Sequence, residues 1–130
     1  MTKLDTWLHD DSVEIIPSGV RVSTIERPDN PTDRSREAMI VIGPANFNHS
    51  DGTAEKKWAA VSGVMASPEL QQYANQIMRS CTGIAAVSFG VAQSDYIVEF
   101  ALDARGTVFQ RSCLEPGVAV YPTWKEQICL

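Results

Sequence analysis

The stretch SPELQQYANQIMRSCTG, residues 67–83, runs directly into IAAVSFGVAQSDYIVEFALDARGTVFQRSC, residues 84–113. In the first, Leu70, Tyr73, Ala74, Ile77, Met78 and Cys81 recur at i, i+3, i+4, i+7, i+8 and i+11, the apolar stripe of a helix lying on a core. Ser67 supplies an N-cap, Pro68 stands at the first helical position, Glu69 meets the positive end of the helix dipole, and Gly83 is a natural stop. In the second stretch the period drops to two. Val87, Phe89 and Val91 alternate with Ser88 and Gly90, and Tyr96, Val98, Phe100 and Leu102 alternate with Ile97, Glu99 and Ala101. A helical segment that gives way to a run of strands makes the chain α+β.

Asp103-Ala104-Arg105-Gly106 closes a hairpin onto Thr107–Cys113. Asp103 suits the first position of a type I turn, and Gly106 supplies the left-handed residue of a three-residue loop. That register sets Asp103 opposite Thr107, Glu99 opposite Arg111 and Ile97 opposite Cys113. A four-residue loop would shift it by one and set Arg111 against Val98; the first register is preferred because it pairs the charges.

Towards the N-terminus, Trp58, Val61 and Met65 mark another helix behind a solvated start of Glu55, Lys56 and Lys57. Ala38-Met39-Ile40-Val41-Ile42 is the most continuous apolar run, as expected of a central strand, and residues 44–52 form a loop. Val13–Ile16 and Val20–Ile25 flank Pro17-Ser18-Gly19 and read as a hairpin. Between them and Ala38, residues 26–37 hold two prolines, seven charges and no large apolar side chain, a segment expected to be mobile. Leu4, Trp7 and Leu8 share a face of a short helix at residues 3–9, and Gly117–Tyr121 is expected to add a last strand. The expected fold is therefore one α+β domain over residues 1–130: a single antiparallel sheet with two central helices packed on one face. In the order of its elements alone it resembles PAS, profilin-like and roadblock domains.

The chain has 130 residues, sixteen acids against eleven bases, a net charge of −5 and 44% hydrophobic residues. It is too apolar to be wholly disordered and too acidic for generic nucleic-acid binding. No apolar run is long enough to span a membrane. Half of the acids fall in the first thirty-seven residues, so an electrostatic partner should meet that end first, at Asp10, Asp11, Asp29 and Asp33. The N-terminus lacks the basic start and apolar segment of a secretory signal, which leads us to expect a cytoplasmic protein. Cys81, Cys113 and Cys129 are odd in number and widely spaced, so reduced structural thiols are expected.

Chemical motifs are sparse. His9 and His49 have no His or Cys at ligand spacing, and the Asn46–Gly52 run, superficially like a calcium loop, puts Lys57 where a bidentate glutamate belongs. There is no Gly-x-Ser-x-Gly elbow and no phosphate-binding glycine loop. Asp10 and Asp11 point apart in either regular structure. Glu99 is the acid embedded in an apolar strand. No catalytic residue, metal or cofactor is expected.

Under the preferred register the sheet face away from the helices carries Ile97, Glu99, Ala101, Phe109 and Arg111, a mixture more apolar than an ordinary solvated surface. Trp7 and Trp124 lie near the termini, either packed in place or as anchors for a partner. The expectation is a non-catalytic binding or regulatory module acting through protein contacts, as a homodimer. Trp7, Ile97, Glu99, Phe109, Arg111 and Trp124 form its surface. The alternative is a small enzyme or small-molecule binder. Its pocket would lie between sheet and helices, lined by Trp58, Tyr73, Phe89, Tyr96 and Phe100, with Glu99, Cys113 or His49 for polar chemistry. An enclosed cavity separates the two.

Overall fold

A computed structural model describes residues 13–44, 54–114 and 122–129, with no statement for the side chains of residues 13, 14, 17, 18, 44 and 54–58. The order is β1 (Val13–Thr24), β2 (Arg36–Pro44), α1 (Ala54–Met65), α2 (Glu69–Ser80), β3 (Ile84–Val91), β4 (Ile97–Leu102), β5 (Val108–Gln110), β6 (Ser112–Leu114) and β7 (Glu126–Ile128). The first five strands form one sheet in sequence order, and β6 and β7 form a second, two-stranded sheet. The architecture is mixed α+β with a mostly antiparallel main sheet.

Two features depart from the single antiparallel sheet. The two helices carry the chain from the end of β2 back to the start of β3, so these neighbours run parallel, and β6 and β7 are parallel as well. Periodicity reports which face a residue occupies and is silent on strand direction. The chain also leaves the main sheet after Gln110, where Arg111 intervenes and β6 joins β7.

Strand alternation divides the main sheet into two faces. Ala38, Ile40 and Ile42 on β2, Val87, Phe89 and Val91 on β3, and Val98, Phe100 and Leu102 on β4 share one buried cluster with Val61 and Met65 of α1 and with Leu70, Tyr73, Ala74, Ile77 and Met78 of α2. The stripe on α2 is therefore the one its spacing predicts. Ser67 Oγ accepts the Glu69 N–H at 3.1 Å, and the Cys81 N–H closes the helix onto Ile77 O. Tyr73 and Phe100 both lie against Phe89, with ring centroids 5.8 and 6.0 Å away. The aromatic side chains expected to line a pocket here instead fill the core, apart from Tyr96, which is exposed, and Trp58, whose side chain lies outside the described set.

Pro17-Ser18-Gly19 is not a turn. β1 is continuous, and five steps along it, from Ile15 to Val20, face two along β2, from Ile42 to Ile40. The extra residues bulge, and Gly19 permits it: a Cβ there would lie 2.7 Å from Ile16 Cγ1 and 2.9 Å from Val41 O.

The segment expected to be mobile is fastened at many points. Arg36 and Glu37 already belong to β2, and Asn30 Oδ1 accepts both the N–H and the hydroxyl of Thr32. Arg34 Nη1 donates to Met78 O at 2.6 Å and to Ile84 O at 2.9 Å, tying the loop to the end of α2 and the start of β3. A charge of a segment expected to be mobile is thus spent on backbone carbonyls far away in sequence. The short helix at residues 3–9 with Trp7, the Asn46–Gly52 run and the Gly117–Tyr121 strand fall outside the described residues.

Candidate functional site

The β4–β5 hairpin has the register that pairs the charges. The Asp103 N–H bonds Thr107 O, the Gly106 N–H bonds Asp103 O, and Gly106 takes a φ of 78°, which explains the glycine. Asp103 Oδ1 also accepts the N–H groups of Arg105 and Thr107, which holds its carboxyl below the usual range. Ala101 lies opposite Phe109, and the Arg111 N–H bonds Glu99 O at 2.9 Å. Glu99 and Arg111 therefore meet as expected, with Arg111 Nη1 2.6 Å from Glu99 Oε1. The third expected pair does not form: Cys113 belongs to β6 opposite Gln127, and the Ile97 carbonyl accepts the Gln127 side-chain amide instead.

The odd-numbered face carrying this pair is covered in part by residues 122–129, which cross it as a strap. Trp124 is buried with Ala85, Ala86 and Ala101, and Ile25 and Phe109 pack against this cluster. Three small alanines leave the volume that one indole fills. Its Nε1 donates to Leu102 O at 2.8 Å, and its backbone N–H donates to Asp29 Oδ2 at 2.6 Å. Gln127 is also buried, accepting the Glu99 N–H and donating to Ile97 O, both unused by β5 at this end of β4. Arg27 reaches from the 25–35 loop to donate to Thr123 O and Glu126 O, each at 2.7 Å, and approaches Glu99 at 3.4 Å.

Arg111 stands at the centre, 3% exposed. Its Nε donates to Trp124 O, its guanidinium lies 4.6 Å from the Trp124 ring centroid, and Glu99 neutralises it. Burial pulls its pKa downward against the pull of Glu99, and Nη2 has no hydrogen-bond partner among the described residues. On β2, Glu37 shares this environment: desolvation raises its pKa, opposed by the charges of Arg111 and Arg27 and reinforced by those of Glu99 and Glu26.

The cysteine expectation is overturned at two of three positions. Cys113 and Cys129 form a disulfide, with Cα atoms 5.4 Å apart, and Cys81 is the free thiol, half-buried against the core. Their separation of sixteen residues carries no motif. What brings them together is the pairing of β6 with β7, an unreadable event in a sequence without local signatures. Oxidised, Cys113 has no thiolate to offer a substrate.

A cavity of about 530 Å³ opens beside the disulfide, lined by Tyr96, Ile97, Gln110, Arg111, Gln127 and the two bridged cysteines among others. Tyr96 and Ile128 are exposed by 46% and 56%. Of the six surface residues expected from sequence, Ile97 and Arg111 line this cavity, and Glu99 and half-buried Phe109 lie on the same face. Trp124 is 4% exposed and serves as the strap's packing residue, so it and Arg111 present little surface to a partner; Trp7 lies outside the described residues. Sequence reasoning set Tyr96 between sheet and helices and missed Gln127, Arg27 and the disulfide, all of whose roles depend on the strap. Among the described residues no cluster of His, Cys, Asp and Glu could hold a metal, and no helix is long and apolar enough to cross a membrane. Compared with known proteins, the chain matches no family model, no curated protein and no solved structure.

Proposed function

We propose that the chain is a non-catalytic binding or regulatory module that works through protein–protein contacts, as a homodimer, and that the cavity beside the Cys113–Cys129 bridge receives a side chain of its partner. The observation that carries this is an open cavity with the exposed Tyr96 on its wall, and with exposed Ile128 next in the chain to two of its lining residues, Gln127 and Cys129, on a framework braced by a disulfide and a buried ion pair. Exposed aromatics on a rigid support are typical binding anchors, because little conformational freedom is lost when they dock. Exposed Asp95 on the cavity wall and the chain's net charge of −5 favour a basic partner, whose encounter the acidic surface accelerates.

A second reading, a small-molecule binder, rests on the cavity's size and on the Nη2 of one of its lining residues, Arg111, which has no hydrogen-bond partner among the described residues. The cytoplasmic residence expected from the N-terminus is weighed against by the disulfide, since such bridges persist in oxidising compartments. Capture from native lysate on the oxidised protein, run beside Tyr96→Ala and Ile128→Asp, tests the proposal. A basic protein retained by the wild type and lost by both variants supports it. Retention of a small molecule with no protein overturns it in favour of the second reading.

A further inference from the structure

The outer edge of β1 is the open border of the main sheet, and strand parity says which of its groups are free. Opposite β1, the Arg36 N–H bonds Gly83 O and Ile42 O accepts the Ala92 N–H, so even-numbered β2 residues turn their backbone towards β3. Odd-numbered ones turn towards β1, where the Ile25 N–H bonds Ser35 O. Arg21 and Ser23, opposite Met39 and Glu37, therefore spend their N–H and C=O groups on β2. The corresponding groups of Val20, Val22 and Thr24 point away from the sheet, and no described residue pairs with them. Residues 21–24 are all exposed, with Val22 at 42%.

We infer that this edge joins a second copy of the chain, β1 to β1, antiparallel about a two-fold axis at Val22. The inference rests on the reading of the chain as a self-associating module and names the surface used. The segment Val20-Arg21-Val22-Ser23-Thr24 is self-complementary in that register. Val22 meets the partner copy's own Val22 as a hydrogen-bonded pair, and the outward groups of Val20 meet those of Thr24. Arg21 falls opposite Ser23, so no like charges face one another. Centring the axis on Arg21 instead would set two guanidinium groups against each other across the joint, which is destabilising. Val22 loses its exposed apolar surface in the process. The bulge at Pro17–Gly19 ends the regular edge on one side and limits the pairing to this short segment.

Sedimentation velocity on the full chain over a dilution series, with circular dichroism as the folding control, tests the inference. The wild type should sediment as a dimer that dissociates on dilution, and Val22→Lys should sediment as one chain. Ser23→Arg sets a second guanidinium opposite the partner's Arg21 and should weaken the dimer about fivefold. The new positive charge also faces Glu37 within its own chain, so its effect cannot come from a weakened fold. Adding Arg21→Glu to Ser23→Arg restores opposite charges and should recover the wild-type dissociation constant. A wild type that is a single chain at every concentration overturns both this joint and the homodimer reading. A dimer indifferent to Val22→Lys and to Ser23→Arg overturns the β1 joint alone and leaves self-association standing.

Discussion

The two faces of the main sheet are held by different chemistry. The helix side is a closed apolar cluster in which Ile40, Leu70, Val87 and Phe89 are fully buried and aromatic rings stack edge to face. The strap side has small alanines, one tryptophan, and a set of hydrogen bonds and ion pairs that join Arg111, Glu99, Gln127 and Arg27 to one another and to the strap backbone. The first resists change through volume, which is forgiving of which apolar group supplies it. The second resists through specific partners, each useless without the other. The difference teaches where sensitivity to single substitutions should be mechanical and where it should be electrical.

Four experiments sharpen or break that contrast. Phe89→Ala, on the helix side, should cost about 4 kcal/mol in urea unfolding, the cavity and transfer loss of a fully buried ring. On the strap side, Arg111→Met should cost about 3 kcal/mol by leaving a mostly buried Glu99 with only its longer contact to Arg27, while Arg111→Met with Glu99→Leu should recover much of it, since a packed apolar pair can replace a buried ion pair. If the double variant is as unstable as the single one, the strap side is held by packing like its counterpart. Reduction of Cys113–Cys129, or serine at both positions, should cost about 3 kcal/mol, as the sixteen-residue separation implies, and should raise hydrogen exchange on the strap while α2 stays protected.

The smallest effect comes from Glu37. Burial raises the pKa of its carboxyl, so between the ordinary carboxylate value and the raised one the folded chain binds more proton there than the unfolded chain. Its contribution to stability therefore falls as pH rises from the ordinary carboxylate value through the raised one. Glu37→Gln should stabilise the protein at neutral pH, and the advantage should vanish in acid where the wild-type carboxyl is already protonated. Equal stability of the two proteins at neutral pH would show that Arg111 and Arg27 fully compensate the burial.

The same contrast explains what could be read from sequence. The stripe on α2, the alternation of β3 and β4, and the Glu99–Arg111 pairing all follow from spacing within a few dozen residues, and all are present. The strap side is built by contacts that span much of the chain, such as Arg27 to Glu126 and Asp29 to Trp124. No local pattern marks them, so the 26–37 segment read as mobile, the cysteines as reduced and Trp124 as a candidate anchor. Pro17-Ser18-Gly19 misled for another reason. Its residues have turn chemistry, yet a bulge needs the same freedom, and the apolar run at Ala38–Ile42 supplied a neighbour long enough to keep β1 in one piece.

That bulge bears on how the molecule grows. A sheet with two clean edges can recruit copies at both ends and extend without limit into a fibre. Here one end passes from the three-residue β5 through Arg111 into the disulfide-bridged strap, and the other carries a kink that Gly19 makes possible. Any assembly by edge pairing thus has a single docking point per chain and closes on itself after two. A side chain at Gly19 collides with Ile16 and Val41, so the bulge must rearrange. Replacing that glycine should tell whether the kink is what confines the joint to the short segment from Val20 to Thr24, with the dissociation constant of the pair changing if it is.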